Sequence, residues 1–114
     1  MKATEFQTEH PIRLLREQDG GAERLLKAQL VERFSGRADV QRAYLVLGEL
    51  APDQATVFLA IASVSPSKVI ADAAGEEFSR LFRSNEHLDV VFVSEEQERA
   101  LAGVAVPFFS QSII

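Results

Sequence analysis

The chain has 114 residues, a formal net charge of −5 and no cysteine, which is the composition of one small acidic domain. The acidic balance, with lysine and arginine dispersed along the chain, excludes the basic patch of a nucleic-acid-binding protein. The absence of cysteine fits a reducing compartment. The opening residues lack the apolar core of a signal peptide, and no apolar run reaches the ~20 residues of a membrane span. We therefore expect a cytoplasmic protein that binds neither nucleic acid nor membrane.

The first part of the chain predicts a flexible arm, a short strand and an amphipathic helix. Residues 1–10 are largely polar and predict the arm, and residues 12–16 predict the strand. Apolar side chains recur every fourth residue over 22–35, which is the pattern of an amphipathic helix. Gly36 follows, at the place where a left-handed residue often ends a helix.

The middle of the chain predicts a hairpin and a second helix. Residues 40–50 and 55–64 are rich in apolar and β-branched side chains, which predicts two antiparallel strands joined by a loop. Ser65 and Pro66 are the residue types that open helices, with serine as the cap and proline in the first turn. An apolar stripe at helical spacing continues from there to Phe82.

The last part predicts a strand, a short helix and an apolar tail. Residues 88–93 predict the strand. Ser94 and Gln97 have the spacing of a capping box, so the helix is expected to begin there and to end near Gly103. Residues 104–114 are too apolar for a free tail, so we expect them to pack on the domain or on a partner.

This order of elements, β-α-β-β-α-β-α, predicts a single α+β domain over residues 1–114. Its sheet is expected to be mixed or antiparallel, with about four strands and two to three helices, as in the split βαβ arrangement. That arrangement places two helices on one face of the sheet and leaves the other face bare. Since the predicted strands are apolar on both sides, the last helix and tail, a second copy or a partner must cover the second face.

The two histidines are the first candidates for chemistry. His87 could act as a base or metal ligand together with Glu86 or Asp89, but a solvated turn residue is the simpler interpretation. His10 lies in the polar arm. Neither histidine has the spacing of a known metal or nucleophile motif.

Carboxylates and glycines have simpler explanations as well. Glu95 and Glu96 fall in the first turn of a predicted helix, where negative charge is favoured by the helix dipole. Gly20 and Gly21 lack the spaced glycines and the lysine of a phosphate-binding loop, so a turn is expected. The sequence therefore predicts no catalytic, cofactor-binding or metal site, and no cofactor.

Aromatic residues are the candidates for an interaction surface. Tyr44 is expected to pack in a strand with its hydroxyl at an edge. The run Pro107, Phe108 and Phe109 could anchor a partner, although packing of the tail on the core is the simpler explanation. These four residues form the candidate interaction surface.

Three stretches resemble the C-terminal domain of the enhanced serine sensitivity protein (SseB) family. They are Asp-Val-Gln-Arg-Ala-Tyr-Leu at 39–45, Leu-Asp-Val-Val-Phe-Val at 88–93 and Val-Pro-Phe-Phe at 106–109. The resemblance extends over residues 12–109. It implies a bacterial cytosolic protein of unassigned biochemical activity and brings no catalytic residues.

Three functions are compatible with these patterns. The favoured hypothesis is a non-enzymatic module that binds a protein partner or forms a homo-oligomer. The alternative is a regulatory domain that binds a small ligand, such as an amino acid or another metabolite, at the strand ends or at a dimer seam. An enzyme built on His87 and nearby carboxylates is the third.

Overall fold

The computed structural model describes residues 2–6, 13–17, 19–49, 55–65, 67–82 and 87–111. Within these ranges the chain forms one sheet of six strands and three helices. In chain order the elements are β1 (Lys2–Phe6), β2 (Arg13–Glu17), α1 (Gly21–Ser35), β3 (Val40–Glu49), β4 (Ala55–Ser63), α2 (Lys68–Leu81), β5 (His87–Phe92), α3 (Glu95–Ala102) and β6 (Phe109–Ser110).

The sheet is mixed, with the strand order β1-β5-β4-β3-β2. Strands β1 and β4 pair with β5 in parallel, whereas β3 pairs with β2 and β4 in antiparallel register. The short β6 pairs with Arg42 and Ala43 of β3, on the edge that β2 occupies further along β3. The predicted α+β class, the mixed sheet and the central hairpin are thereby confirmed.

Helices α1 and α2 pack together on one face of the sheet. Leu26, Leu30 and Phe34 of α1 are buried there, at the four-residue spacing that predicted the helix. Other buried members of this first core are Val40, Ala43, Leu45, Leu59, Ile61, Ile70, Ala71, Ala74, Phe78, Leu88, Val90 and Phe109. One face of the sheet is thus filled by two helices, as the element order predicts.

Helix α3 and the residues that follow it as far as Ala105 lie on the opposite face. Leu101 and Ala105 are buried there in a second core. The buried sheet residues of this core are Tyr44, Val46, Phe58, Ala60 and Val91. The second face is therefore covered by the last helix and the start of the tail, one of the three covers that the sequence allows, whereas Phe109 further along the tail packs in the first core. Residues 112–114 lie outside the described part of the chain.

Two features of the sheet differ from the expectations. Residues 1–10 are predicted as a flexible arm, but Lys2–Phe6 form β1 and satisfy backbone groups along one edge of β5. Residues 7–10 lie outside the described part of the chain. Strands β2 to β5 also lie in chain order, so no strand separates the parallel pair that α2 connects, unlike a split βαβ unit. Hydrophobic patterning specifies which face a residue takes, whereas strand neighbours are decided by tertiary contacts.

The helix ends agree with the sequence in one case and differ in two. The capping box of Ser94 and Gln97 is present, and Gly103 ends α3. Helix α2 is capped by Ser67 rather than Ser65, because the Ser67 hydroxyl accepts the backbone N–H of Ile70. Gly36 ends α1 with φ −87° and its backbone N–H directed to Phe34 O, so it is not the left-handed residue that the sequence predicts.

Candidate functional site

The candidate site is the C-terminal segment, defined here as residues 94–111. It contains α3, a connection over 103–108 and β6. The segment crosses the second face of the sheet as a helix and then joins the edge of β3 as a strand. Three groups of contacts hold it in place, and each uses different chemistry.

The first group is the Glu98 cluster, made of Arg42, Tyr44 and Glu98. Arg42 Nη2 donates to Glu98 Oε1 at 2.8 Å, and Arg42 Nε donates to Glu98 Oε2. The hydroxyl of Tyr44 donates to the same Oε2 at 2.7 Å. A carboxylate that accepts a two-pronged guanidinium bond and a hydroxyl bond is well satisfied and geometrically fixed. The cluster therefore sets the position of α3 over β3.

Proximity within the cluster shifts the acidity of its members. The hydrogen bond from Arg42 holds the pKa of Glu98 below its ordinary value, despite an opposing effect of partial burial. Burial, reinforced by the adjacent Glu98 carboxylate, raises the pKa of Tyr44 to about 12. The same carboxylate raises the pKa of Arg42. The cluster is thus stable as a carboxylate, a guanidinium and a neutral phenol over a wide pH range.

The second group anchors β6 to the edge of β3. The ring of Phe109 is 7% exposed and meets the Phe34 ring edge to face, with the centroids 5.8 Å apart. The backbone N–H of Phe108 donates to Ala43 O at 3.0 Å. Gln111 donates through its backbone to Gln41 O at 2.8 Å and through its side chain to the backbone oxygens of residues 37 and 40. Residues 108–111 are thus docked by a ring and by backbone bonds together.

The third group of contacts joins the connection, residues 103–108, to β2 and is called the tether. The backbone N–H of Val106 donates to Glu17 Oε1 at 3.1 Å. Glu17 also accepts from Lys27 Nζ at 3.2 Å, which links the tether to α1. The side chain of Val106 is nevertheless 68% exposed, and Pro107 beside it is exposed. The connection therefore presents apolar side chains to solvent while its backbone is held.

The structure gives the four predicted interaction residues different environments. Tyr44 is 3% exposed and its hydroxyl is bonded to Glu98. Phe109 is buried in the first core, and Phe108 is half-buried against it. Pro107 is the exposed member. A contact of these residues with a partner stays a prediction, and within the chain Tyr44 and Phe109 serve packing.

Sequence reasoning missed Arg42 and Glu98. The capping box at Ser94 places Glu98 in the first part of α3, but it gives no indication of the side chain's partner. Arg42 and Glu98 are 56 positions apart, so only the tertiary fold brings them together. The available signal was Arg42 itself, a charged residue in a strand that is apolar on both sides.

Buried charge elsewhere in the described residues is found at Glu77 and Asp89. Glu77 accepts from Arg33 Nη1 at 2.6 Å and from Arg80 Nη1 at 3.1 Å, which ties α1 to α2. Asp89 lies on β5 opposite Phe58 in register. His87 is the first residue of that strand, and His10 lies outside the described ranges. Within the described ranges, no three metal-ligating side chains come together.

Comparisons with known proteins add no relative. No protein-family model, curated protein or solved structure gives a significant match to this chain. In the part of the chain that the structure describes, no helix has the length and apolarity needed to cross a bilayer.

Proposed function

We propose that the chain is a non-enzymatic, SseB-like interaction module that acts by self-association. The observation that carries this proposal is the exposed apolar pair Val106 and Pro107 in a connection whose backbone is tethered. Single exposed apolar side chains are common on protein surfaces. The position and the surroundings of this pair are therefore needed to support a contact.

The fold limits where a contact can form. Both faces of the sheet carry helices of the same chain, α1 and α2 on one side and α3 on the other. In the described part of the chain, the remaining surfaces are the outer sides of the helices, the sheet edges and the connection of the C-terminal segment. Leu25 on α1 and Val69 on α2 are also exposed apolar side chains, whereas the connection places two such residues, Val106 and Pro107, next to each other on a tethered backbone. A backbone that is already held lowers the ordering cost of binding.

The local absence of charge allows a second copy to bind at this place. Two copies of a chain with net charge −5 repel one another, and residues 102–107 are an uncharged stretch. A contact between two such stretches avoids placing like charges opposite each other. Two-fold pairing of one patch with itself is the commonest way in which soluble proteins form dimers.

Light scattering on two matched variants tests the proposal. Val106→Asp places a charge in the connection, whereas Val64→Asp changes a valine of similar exposure, 73%, immediately after β4. We expect a dimer for the native chain and for Val64→Asp, and a monomer for Val106→Asp. Equal dimer content in both variants would show that the dimer contact does not involve Val106. A native chain that stays monomeric would contradict self-association.

A small-ligand regulatory domain is the second candidate, favoured by one feature of the topology. Strands β4 and β5 are parallel neighbours, and the helices that follow them, α2 and α3, lie on opposite faces. In open sheets, ligands bind beyond the carboxyl ends of strands at such a divergence. A thermal-shift screen with amino acids and nucleotides tests this candidate, because a ligand of the folded state raises the melting temperature. If no compound shifts the midpoint, this candidate is lost.

A further inference from the structure

We infer that Glu17 on β2 is the positioning residue of the proposed self-association surface, because its carboxylate holds the backbone that carries Val106 and Pro107. This inference rests on the proposed function and names the residue that controls it. Three features of the structure support it: a shift of register in β2, the two bonds of the Glu17 carboxylate, and the backbone chemistry of the exposed pair.

The register shift in β2 decides on which face of the sheet Glu17 lies. Leu14 pairs with Gly48 and Glu17 pairs with Val46, so the register moves by one residue between them, as in a β-bulge. If the register of Leu14 continued, Glu17 would lie opposite Leu45, a residue of the first core. The shift instead places Glu17 opposite Val46 of the second core, on the face that α3 and the start of the connection cover.

The carboxylate of Glu17 bonds to a different partner through each oxygen. Oε1 accepts the backbone N–H of Val106 at 3.1 Å, and Oε2 accepts from Lys27 Nζ at 3.2 Å. The Lys27 side chain is only 12% exposed and also donates to Asp19 Oδ1 at 3.0 Å. Because Lys27 orients one oxygen, the other is directed at the connection. Ionised acceptors form stronger bonds to N–H groups than neutral ones do.

The exposed pair has a single backbone donor, and Glu17 accepts its hydrogen bond. Pro107 has no backbone N–H, so the N–H of Val106 is the one that the pair can offer. Backbone bonds of Ala105 and Phe108 hold the connection on either side of the pair. Loss of the Glu17 carboxylate therefore frees the pair alone, and its backbone must then be ordered when a second copy binds.

Glu17→Ala removes the acceptor, and Asp19→Ala is its charge-matched control. In the described part of the chain, Asp19 bonds to Arg24 and Lys27 but not to the connection. Each substitution removes one negative charge, which by itself favours association of a chain with net charge −5. We expect the association constant from light scattering to fall by roughly tenfold in Glu17→Ala, which corresponds to about 1.4 kcal/mol. In Asp19→Ala it should stay at the native value or rise.

Glu17→Gln separates the bond to Val106 from the ion pair with Lys27. The amide oxygen of glutamine still accepts the Val106 N–H, although the negative charge is lost. We expect an association constant close to that of the native chain. A fall as large as in Glu17→Ala would overturn the assignment, because the ion pair and not the bond to Val106 would then control association.

Hydrogen exchange of the Val106 amide, followed by NMR at concentrations where the chain is a monomer, tests the holding step without association. We expect faster exchange in Glu17→Ala and native exchange in Asp19→Ala. Native exchange in Glu17→Ala would overturn the inference.

The association data distinguish a failure of this inference from a failure of the proposed function. A native dimer whose association constant is unchanged in Glu17→Ala overturns the role of Glu17 and leaves self-association in place. A native chain that stays monomeric at every concentration overturns the proposed function, and the role of Glu17 in association falls with it.

Discussion

The hydroxyl of Tyr44 on β3 donates a 2.7 Å hydrogen bond to Glu98 on α3, across the second face of the sheet. Arg42, on the same strand, donates to both oxygens of that carboxylate. The short last helix buries Leu101 as its apolar anchor, so polar contacts carry part of its attachment. This polar attachment gives the first three predictions a common basis in charge and burial.

Titration of Tyr44 reports directly on this cluster. The chain has one tyrosine and no tryptophan, so the tyrosinate absorbance comes from a single residue. Burial beside Glu98 raises the pKa of Tyr44 from 10.0 to about 12. The folded state therefore favours the neutral phenol, and this stabilisation is complete below pH 10 and is lost as the pH rises towards 12. A spectrophotometric midpoint near 10 in the folded protein would contradict the buried cluster.

Replacement of Glu98 tests the attachment of α3. Glu98→Gln weakens the bonds to Arg42 and Tyr44 and is expected to lower the free energy of unfolding by about 1–3 kcal/mol. Glu96→Gln, on an exposed position of the same helix, is the control and is expected to cost about 0.5 kcal/mol. Urea unfolding measures both. Equal losses would show that the cluster contributes little.

The same carboxylate predicts a dependence on acid. The pKa of Glu98 is lowered from 4.5 by Arg42, so its stabilising contribution is present above pH 4.5 and is lost as the pH falls through the folded value. In Glu98→Gln this part of the acid dependence should disappear. Unfolding curves that keep the same acid dependence in the variant would assign it to other carboxylates.

Glu77 provides a test of the contact between α1 and α2. Its carboxylate is 2% exposed and is shared by Arg33 and Arg80, which are partly solvated. Glu77→Gln is expected to lower the free energy of unfolding by about 1–3 kcal/mol, because a buried charge-assisted bond is weakened. Glu76→Gln changes an exposed partner of Arg33 and should cost less than about 1 kcal/mol. A larger loss of unfolding free energy in Glu76→Gln than in Glu77→Gln would contradict the assignment of Glu77 as the main link between α1 and α2.

Truncation of Phe109 tests the packing of β6. Phe109→Ala empties a buried position beside Phe34 and is expected to cost about 3–5 kcal/mol. Phe108→Ala removes a half-buried ring and should cost about 1–2 kcal/mol. Thermal or urea unfolding compares the two variants. Indistinguishable stabilities would mean that β6 is not docked in the first core.

Local signals in the sequence predicted the helices and the main strands. Ser94 and Gln97 determined where α3 begins, because a capping box depends only on neighbouring residues. The period of Leu26, Leu30 and Phe34 likewise gave the buried side of α1. Such features need no knowledge of distant contacts.

Contacts between distant segments could not be predicted in this way. The pairing of β1 with β5, and the chain order of the strands, depend on which sheet edges remain open after the hairpin forms. The bonds from Arg42 to Glu98 and the contact of Phe109 with Phe34 join segments that no local pattern connects. The sequence therefore singled out the aromatic residues Tyr44, Phe108 and Phe109, whose role as an interaction surface stays a prediction, and it did not connect Arg42 with Glu98.

The most direct measurement is the solution mass of the native chain by light scattering, over a range of concentrations. Self-association through the C-terminal segment predicts a rise from the chain mass of 12.6 kDa to twice that value as the concentration increases. A mass that stays at 12.6 kDa at all concentrations would contradict the proposed function.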